Sequence, residues 1–81
     1  MEQSPTTSKE AFMSRKQRLY DELRRRGGRV ADQAEWRLLG RTCGYTAYRD
    51  LAGFFGGRRP SMVRLADGSR QLTADGWRRA G

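Results

Sequence analysis

Apolar residues recur at helical spacing in the first part of the chain. One helical face carries Leu19, Tyr20 and Leu23. Ser14 and Gln17 have the spacing of a capping box, in which a side-chain oxygen accepts a hydrogen bond from a backbone N–H of the first turn. We therefore predict a first helix over residues 14 to 26. Its C-terminus falls at Gly27-Gly28, because glycine readily adopts the left-handed conformation that closes helices.

Two further helices are predicted after residues 29 to 31, which are too short for more than an edge strand or a connector. Asp32 and Glu35 repeat the capping spacing before a helix that carries Ala34, Trp36, Leu38 and Leu39. Gly40 is acceptable within it where another helix must pass closely. Thr46 is the predicted cap of a third helix that extends to about Phe55. Its buried stripe would be Tyr48, Leu51, Ala52 and Phe55, and its free face Ala47, Arg49, Asp50 and Gly53.

After residue 60 the apolar pattern changes to alternation, which is typical of strands. Residues 62 to 65 and 70 to 72 flank Asp67-Gly68, a strong signal for a tight hairpin. With Asp67-Gly68 as the central pair, Val63 faces Leu72 on the buried side, and a bulge would shift this register. Thr73 then caps a short helical turn, whose Trp77 is expected to cover the inner face of the hairpin.

The composition limits the chemistry available to this chain. At 81 residues it is expected to form one domain over residues 13–81, preceded by a flexible polar tail over residues 1–12. It has no histidine and a single cysteine, Cys43, which excludes imidazole catalysis and an internal disulfide. We therefore expect no enzymatic activity, cofactor, metal or small-molecule substrate. The lone cysteine and the lack of a long apolar run predict a cytoplasmic protein without a membrane partner.

The charge balance predicts a polyanionic partner. Lys and Arg number 17 against 9 Asp and Glu, a formal net charge of +8. Such an excess attracts phosphate at cellular salt. An alternative interpretation is compositional, because a genome rich in GC favours arginine without any binding role.

The order of the elements resembles the winged helix-turn-helix family. The resemblance rests on Leu38-Leu39 and Gly44-Tyr45-Thr46, on the hairpin segments Val63-Arg64-Leu65 and Ala66-Asp67-Gly68-Ser69, and on Leu72-Thr73-Ala74-Asp75-Gly76. It implies a mainly α, α+β fold with three helices, a two-stranded wing and a short C-terminal helical turn. Asp50 departs from the family pattern, which has a branched apolar residue there, so the rotation of the third helix stays open.

The resemblance and the charge together predict sequence-specific binding to double-stranded DNA. The third helix would enter the major groove, with Arg49 as the first candidate to read a base, and the wing would contact the adjacent backbone or minor groove. The candidate contact residues are Arg41, Thr46, Ala47, Arg49, Arg58, Arg59, Arg64, Ser69 and Arg70. For Arg49 an ion pair with Asp50 or Glu35 is the alternative.

This hypothesis describes a nucleoid-associated transcriptional regulator, or a phage or plasmid factor that marks a DNA site. We expect a monomer or an assembly on tandem DNA sites. The alternative function is a protein-interaction module whose arginines dock an acidic partner.

Overall fold

The computed structural model describes residues 14–81, and the tail predicted for residues 1–12 lies outside them. The elements are α1 (Arg15–Arg25), β1 (Arg29–Val30), α2 (Gln33–Thr42), a 3₁₀ helix (Tyr48–Phe55), β2 (Met62–Arg64), β3 (Arg70–Leu72) and α3 (Ala74–Ala80). These residues form an α+β domain of four helices and a small antiparallel sheet, with the strand order β1-β3-β2.

The first two helices begin at the predicted caps. The side chain of Ser14 accepts from the backbone N–H of Gln17 at 3.1 Å, and that of Asp32 accepts from Glu35 at 2.8 Å. Helix α1 ends in a Schellman motif, in which the Gly28 N–H donates to the Leu23 carbonyl at 2.7 Å. These caps satisfy backbone groups that a helix end leaves without partners.

The third helix differs from its prediction. Thr46 does not cap it; the helix begins at Tyr48 without a side-chain cap and has 3₁₀ geometry. Its buried residues are Leu51 and Phe54, which three residues per turn place on the same side. The predicted stripe of Tyr48, Leu51, Ala52 and Phe55 assumed α-helical periodicity, which leaves Phe54 off the buried face.

Phe54 takes this position because three aromatic rings surround it. Its ring centroid lies 5.2 Å from that of Tyr20, 5.7 Å from Trp36 and 6.0 Å from Tyr45. Tilted and edge-to-face contacts at these distances are favourable beyond the apolar area they bury. The aromatic cluster therefore links α1, α2 and the 3₁₀ helix.

Gly40 allows α2 and the 3₁₀ helix to approach closely, as predicted for this position. A Cβ atom on Gly40 would lie 2.7 Å from Cδ1 of Leu51, well inside van der Waals contact. Leu51 is itself buried. The absence of a side chain at position 40 therefore sets the distance between the two helices.

The sheet corrects two expectations. Strand β1 pairs with β3, so the sheet has three strands, and Met62, not Val63, lies opposite Leu72. Met62 is 1% exposed and Val63 is 42% exposed, the reverse of the prediction. A shift of one residue exchanges the two faces of a strand, because side chains alternate.

The turn of the hairpin explains this shift. The Gly68 N–H donates to the Leu65 carbonyl at 3.0 Å, and the Leu65 N–H donates to the Ser69 carbonyl at 2.8 Å. Gly68 has a φ of 92°, which is accessible to glycine. The loop therefore has three residues ending in a left-handed glycine, where the sequence analysis assumed two.

Helix α3 closes the fold against α1 and β3. Thr73 caps it as predicted, accepting from the Gly76 N–H at 3.0 Å. Trp77, in contrast, is 40% exposed. Its ring lies against Gly28, where a Cβ would be 2.5 Å from Cζ2 of the indole. Trp77 thus covers the residue before β1, and Met62 and Leu72 are the buried apolar residues of the hairpin.

Candidate nucleic-acid interface

Most carboxylates among the described residues lie outside residues 37–64, and most of these form ion pairs with arginines. On α1, Asp21 pairs with Arg24 at 3.1 Å and with Arg25 at 3.2 Å. The other ion pairs are Glu22–Arg25, Glu35–Arg26, Asp67–Arg29, Asp75–Arg78 and Asp50–Arg15. Most arginines of α1, β1 and α3 therefore have their charge balanced locally.

Residues 37–64, here called the arginine segment, have the opposite balance. The segment contains one acidic residue, Asp50, and six exposed arginines: Arg37, Arg41, Arg49, Arg58, Arg59 and Arg64. Asp50 lies 3.7 Å from Arg15, which belongs to α1. None of the six arginines forms an ion pair within residues 14–81. Their uncompensated charges create a positive potential over this part of the surface.

A cleft between α2 and the 3₁₀ helix, here called the α2 cleft, brings several of these groups together. It has a volume of about 420 Å³ and is lined by Ala34, Arg37, Arg41, Tyr45, Thr46, Tyr48 and Leu51. Arg37 and Arg41 lie one helical turn apart and so share a face of α2. Two guanidinium groups and the exposed Thr46 hydroxyl give this cleft several hydrogen-bond donors.

Within the α2 cleft, Arg37 stacks on Tyr48. The Arg37 Cζ atom lies 4.5 Å from the centroid of the Tyr48 ring. In a stacked arrangement the ring contacts the face of a guanidinium group, so that the in-plane N–H donors stay available. Stacking therefore holds the arginine in place and leaves donors available for an anion.

A smaller crevice of about 40 Å³, here called the hairpin crevice, lies between the 3₁₀ helix and β2. Its lining residues are Trp36, Tyr48, Arg49, Leu51, Ala52, Phe55 and Arg64. The Arg64 Cζ atom lies 4.1 Å from the centroid of the Phe55 ring. The structure thus brings Arg49 and Arg64 to one crevice, and Tyr48 borders both this crevice and the α2 cleft.

Among residues 14–81, Arg49 has no carboxylate partner. The two acids considered as alternatives are engaged elsewhere, since Glu35 pairs with Arg26 at 2.8 Å and Asp50 lies near Arg15. Arg49 is exposed on the 3₁₀ helix.

Thr46 and Ala47, the two predicted contact residues at the start of the third helix, differ in their exposure. Thr46 is exposed and borders the α2 cleft, although it caps no helix. Ala47 is half-buried, and its carbonyl accepts from the Asp50 N–H at 3.0 Å. Ala47 therefore has a backbone role at the start of the 3₁₀ helix.

Arg58 and Arg59 lie in the loop that follows the 3₁₀ helix. Both are exposed, and neither lines the α2 cleft or the hairpin crevice. The Arg59 carbonyl accepts a hydrogen bond from Nη1 of Arg79 at 2.6 Å, which fastens this loop to α3. Arg58 and Arg59 therefore carry positive charge outside the α2 cleft and the hairpin crevice.

Ser69 and Arg70 of the hairpin do not contribute to the exposed surface. They are 1% and 8% exposed, respectively. The Ser69 hydroxyl donates to Asp67 at 2.6 Å, and Nη1 of Arg70 donates to the Gly68 carbonyl at 2.5 Å. The buried Nε of Arg70 has no hydrogen-bond partner among the described residues. Both side chains therefore stabilise the hairpin from within, and neither lies on its outer surface.

The exposed polar group of the hairpin tip is Asp67. Its Oδ1 accepts from the Ser69 hydroxyl and from the Ser69 N–H, the latter at 2.9 Å. These bonds, with a smaller effect of the Arg29 guanidinium, lower the pKa of Asp67 because they favour the charged carboxylate.

Sequence reasoning missed Arg37 and misassigned Tyr48. Arg37 precedes Arg41 by one helical turn, and this spacing was the available signal. Tyr48 was expected in the core, yet its ring is partly exposed and forms the platform for Arg37. The stacking contact connects two elements, so helical periodicity alone does not indicate it.

A third cleft, of about 340 Å³, contains polar groups that satisfy one another. The Tyr20 and Ser61 hydroxyls share a hydrogen bond of 2.5 Å, and Nη1 of Arg79 donates to Ser61 at 2.8 Å. Arg15, which lines the same cleft, stacks on Tyr45 with a distance of 4.5 Å to the ring centroid. This cluster holds α3 and the loop before β2 against α1.

Cys43 lies at the end of α2 and is buried. Burial is the main reason that its pKa is raised, so the neutral thiol is favoured there. Among residues 14–81, no group of three or more His, Cys, Asp or Glu side chains is arranged to hold a metal ion.

Within residues 14–81, no helix has the length and apolar character needed to cross a membrane. No family model matches the chain, and neither a curated protein nor a solved structure matches it.

Proposed function

We propose that this chain is a winged helix-turn-helix module that binds double-stranded DNA without catalysing a reaction. The order helix, strand, helix, helix and hairpin supports this, as does the pairing of β1 with the hairpin. In this proposal the 3₁₀ helix approaches the major groove, which admits one helix. The hairpin then lies beside it, toward the adjacent backbone.

The charge distribution of the arginine segment is the observation that carries the proposal. Six exposed arginines are accompanied by one acid, whereas arginines elsewhere mostly have carboxylate partners. A purely compositional arginine excess does not account for six exposed arginines in a segment that holds a single acid. Arginine binds phosphate through parallel hydrogen bonds, so such a surface suits a nucleic-acid backbone.

Within this surface the proposed roles differ. Arg49 is exposed on the 3₁₀ helix and is the candidate to read a base, since a guanidinium bonds both acceptors of guanine. Arg41, Arg58 and Arg59 are candidates for phosphate contacts, which position a protein without reading sequence. A chain with these roles would act as a small transcriptional regulator or a factor that marks a DNA site.

Titration of a random-sequence duplex at increasing salt tests this proposal. We expect the logarithm of the association constant to fall linearly with the logarithm of the salt concentration, by a slope of about 0.9 for each phosphate contacted. The Arg41→Ala variant should reduce that slope, because Arg41 has no carboxylate partner within residues 14–81. Fluorescence anisotropy with a labelled duplex measures both quantities.

Arg25→Ala is the matched control, since it removes the same charge from an exposed arginine that pairs with Asp21 and Glu22. It should leave the slope nearly unchanged. If the wild-type chain shows no binding at low salt, DNA binding is wrong and an acidic protein partner becomes the better hypothesis. An equal reduction in both variants would show that only the net charge matters.

A further inference from the structure

We infer that Arg37 and Arg64 are a pair of phosphate clamps, one at each end of the 3₁₀ helix, which grip the DNA backbone on either side of one major groove. The inference rests on the proposed function and adds to it the residues that anchor the backbone. Its basis is the stacking of Arg37 on Tyr48 and of Arg64 on Phe55.

The two aromatic platforms are the first and last residues of the 3₁₀ helix. The arginines come from other elements, since Arg37 belongs to α2 and Arg64 to β2. Each therefore contacts an end residue of the same short helix from a different element, and Arg64 also borders a crevice with Tyr48. Neither guanidinium has a carboxylate partner within residues 14–81.

Stacking prepares these arginines for phosphate. A free arginine side chain loses considerable rotamer freedom when it is fixed, whereas a stacked one has already lost part of it. The ring contacts the face of the guanidinium and leaves in-plane N–H groups for a bidentate bond to phosphate oxygens. Both residues are exposed, so an anion can approach either guanidinium group from solvent.

The length of the helix agrees with the width of the groove. Eight residues at a rise of about 2.0 Å separate the first and last Cα atoms by about 14 Å. The major groove of B-DNA is about 12 Å wide. In the proposed orientation the helix lies across the groove, with Arg37 toward one backbone and Arg64 toward the other.

The test compares Arg37→Ala, Arg64→Ala and the double variant with Arg25→Ala in the salt titration of the random duplex. Each single variant should lower the slope by about 0.9, and the double variant by about twice that amount. Arg37→Lys should retain most of the slope but bind more weakly, because lysine keeps the charge without the planar fork.

Tyr48→Leu and Tyr48→Phe test the role of the platform. Leucine should weaken binding by about two- to fivefold while the slope is kept, because the charge remains and the stacking is lost. Phenylalanine retains the ring and should bind like the wild-type chain. Circular dichroism of each variant establishes that it is folded.

Phosphate ethylation of a duplex selected from a random pool then locates the contacts. The interference lost in Arg37→Ala and that lost in Arg64→Ala should fall on opposite strands. Slopes in both alanine variants equal to that of Arg25→Ala, with wild-type binding intact, would overturn the clamps, as would contacts on one strand only. Absence of salt-dependent binding by the wild-type chain would instead overturn the proposed function itself.

Discussion

Arg49 shows how the surroundings of one residue decide its role. It is exposed on the 3₁₀ helix and borders the hairpin crevice near Arg64. Both acids that the sequence analysis considered as partners are bound by other arginines. Arg49 is therefore an exposed cation without a carboxylate partner within residues 14–81, as its proposed role in reading a base requires.

We predict that Arg49→Ala loses about 1–3 kcal/mol of binding free energy on a duplex selected from a random pool, because one bidentate base contact is removed. The preference at one base pair should relax, while binding to random duplex changes much less. Arg41→Ala is the comparison, since a phosphate contact affects all duplexes alike. Equal losses on selected and random duplexes for Arg49→Ala would contradict a base-reading role.

Asp67 is the second residue whose environment predicts a measurable property. Hydrogen bonds from Ser69 lower its pKa in the folded chain. The folded pKa is below the unfolded one, so the stability that Asp67 contributes is fully present above the ordinary aspartate pKa of about 3.9. That contribution is lost as the pH falls through the lowered value.

We therefore expect the hairpin turn to loosen only in acid. In an NMR titration, the Ser69 amide should report a protonation step below the ordinary aspartate range. Asp67→Asn should abolish this step, because the amide side chain does not titrate. A step at or above the ordinary range would contradict the hydrogen-bonded carboxylate.

At the scale of elements, the 3₁₀ helix is where side-chain packing overrides local pattern. Phe54 and Phe55 are adjacent, and helical periodicity favoured Phe55 for the core. The structure buries Phe54 among three aromatic rings, while Phe55 is half-buried and contacts Trp36 at 5.6 Å between ring centroids. The two residues therefore differ in their contribution to stability.

Phe54→Ala is expected to lower the free energy of unfolding by about 3–5 kcal/mol, because it leaves a cavity in the core. Phe55→Ala should cost clearly less, since part of that ring already contacts water. Urea denaturation followed by circular dichroism measures both variants. A larger loss for Phe55→Ala would indicate that the α-helical stripe, not the 3₁₀ arrangement, is correct.

The hairpin shows a different limit of sequence reasoning. Asp67-Gly68 correctly indicated a turn, but a dipeptide does not determine the loop length. With a three-residue loop the strand register moves by one position, and Met62 replaces Val63 in the core. The caps at Ser14, Asp32 and Thr73, in contrast, depend on neighbouring residues only and were predicted correctly.

At the scale of the whole molecule, the arginines with carboxylate partners and those without lie mostly in different parts of the fold. The arginines of α1, β1 and α3 are largely used in ion pairs, whereas those of the arginine segment are not. The basic character of that segment was visible in the sequence. Which arginines lack partners was not, because ion pairs such as Arg29–Asp67 join residues far apart in the chain.

Gly40 has one more consequence for this molecule. Its missing side chain allows the 3₁₀ helix to pack closely against α2, so it also affects how far that helix protrudes from the surface. Position 40 therefore affects both the packing of the core and the placement of Arg49. A larger residue there would displace Leu51, and with it the 3₁₀ helix that carries Arg49.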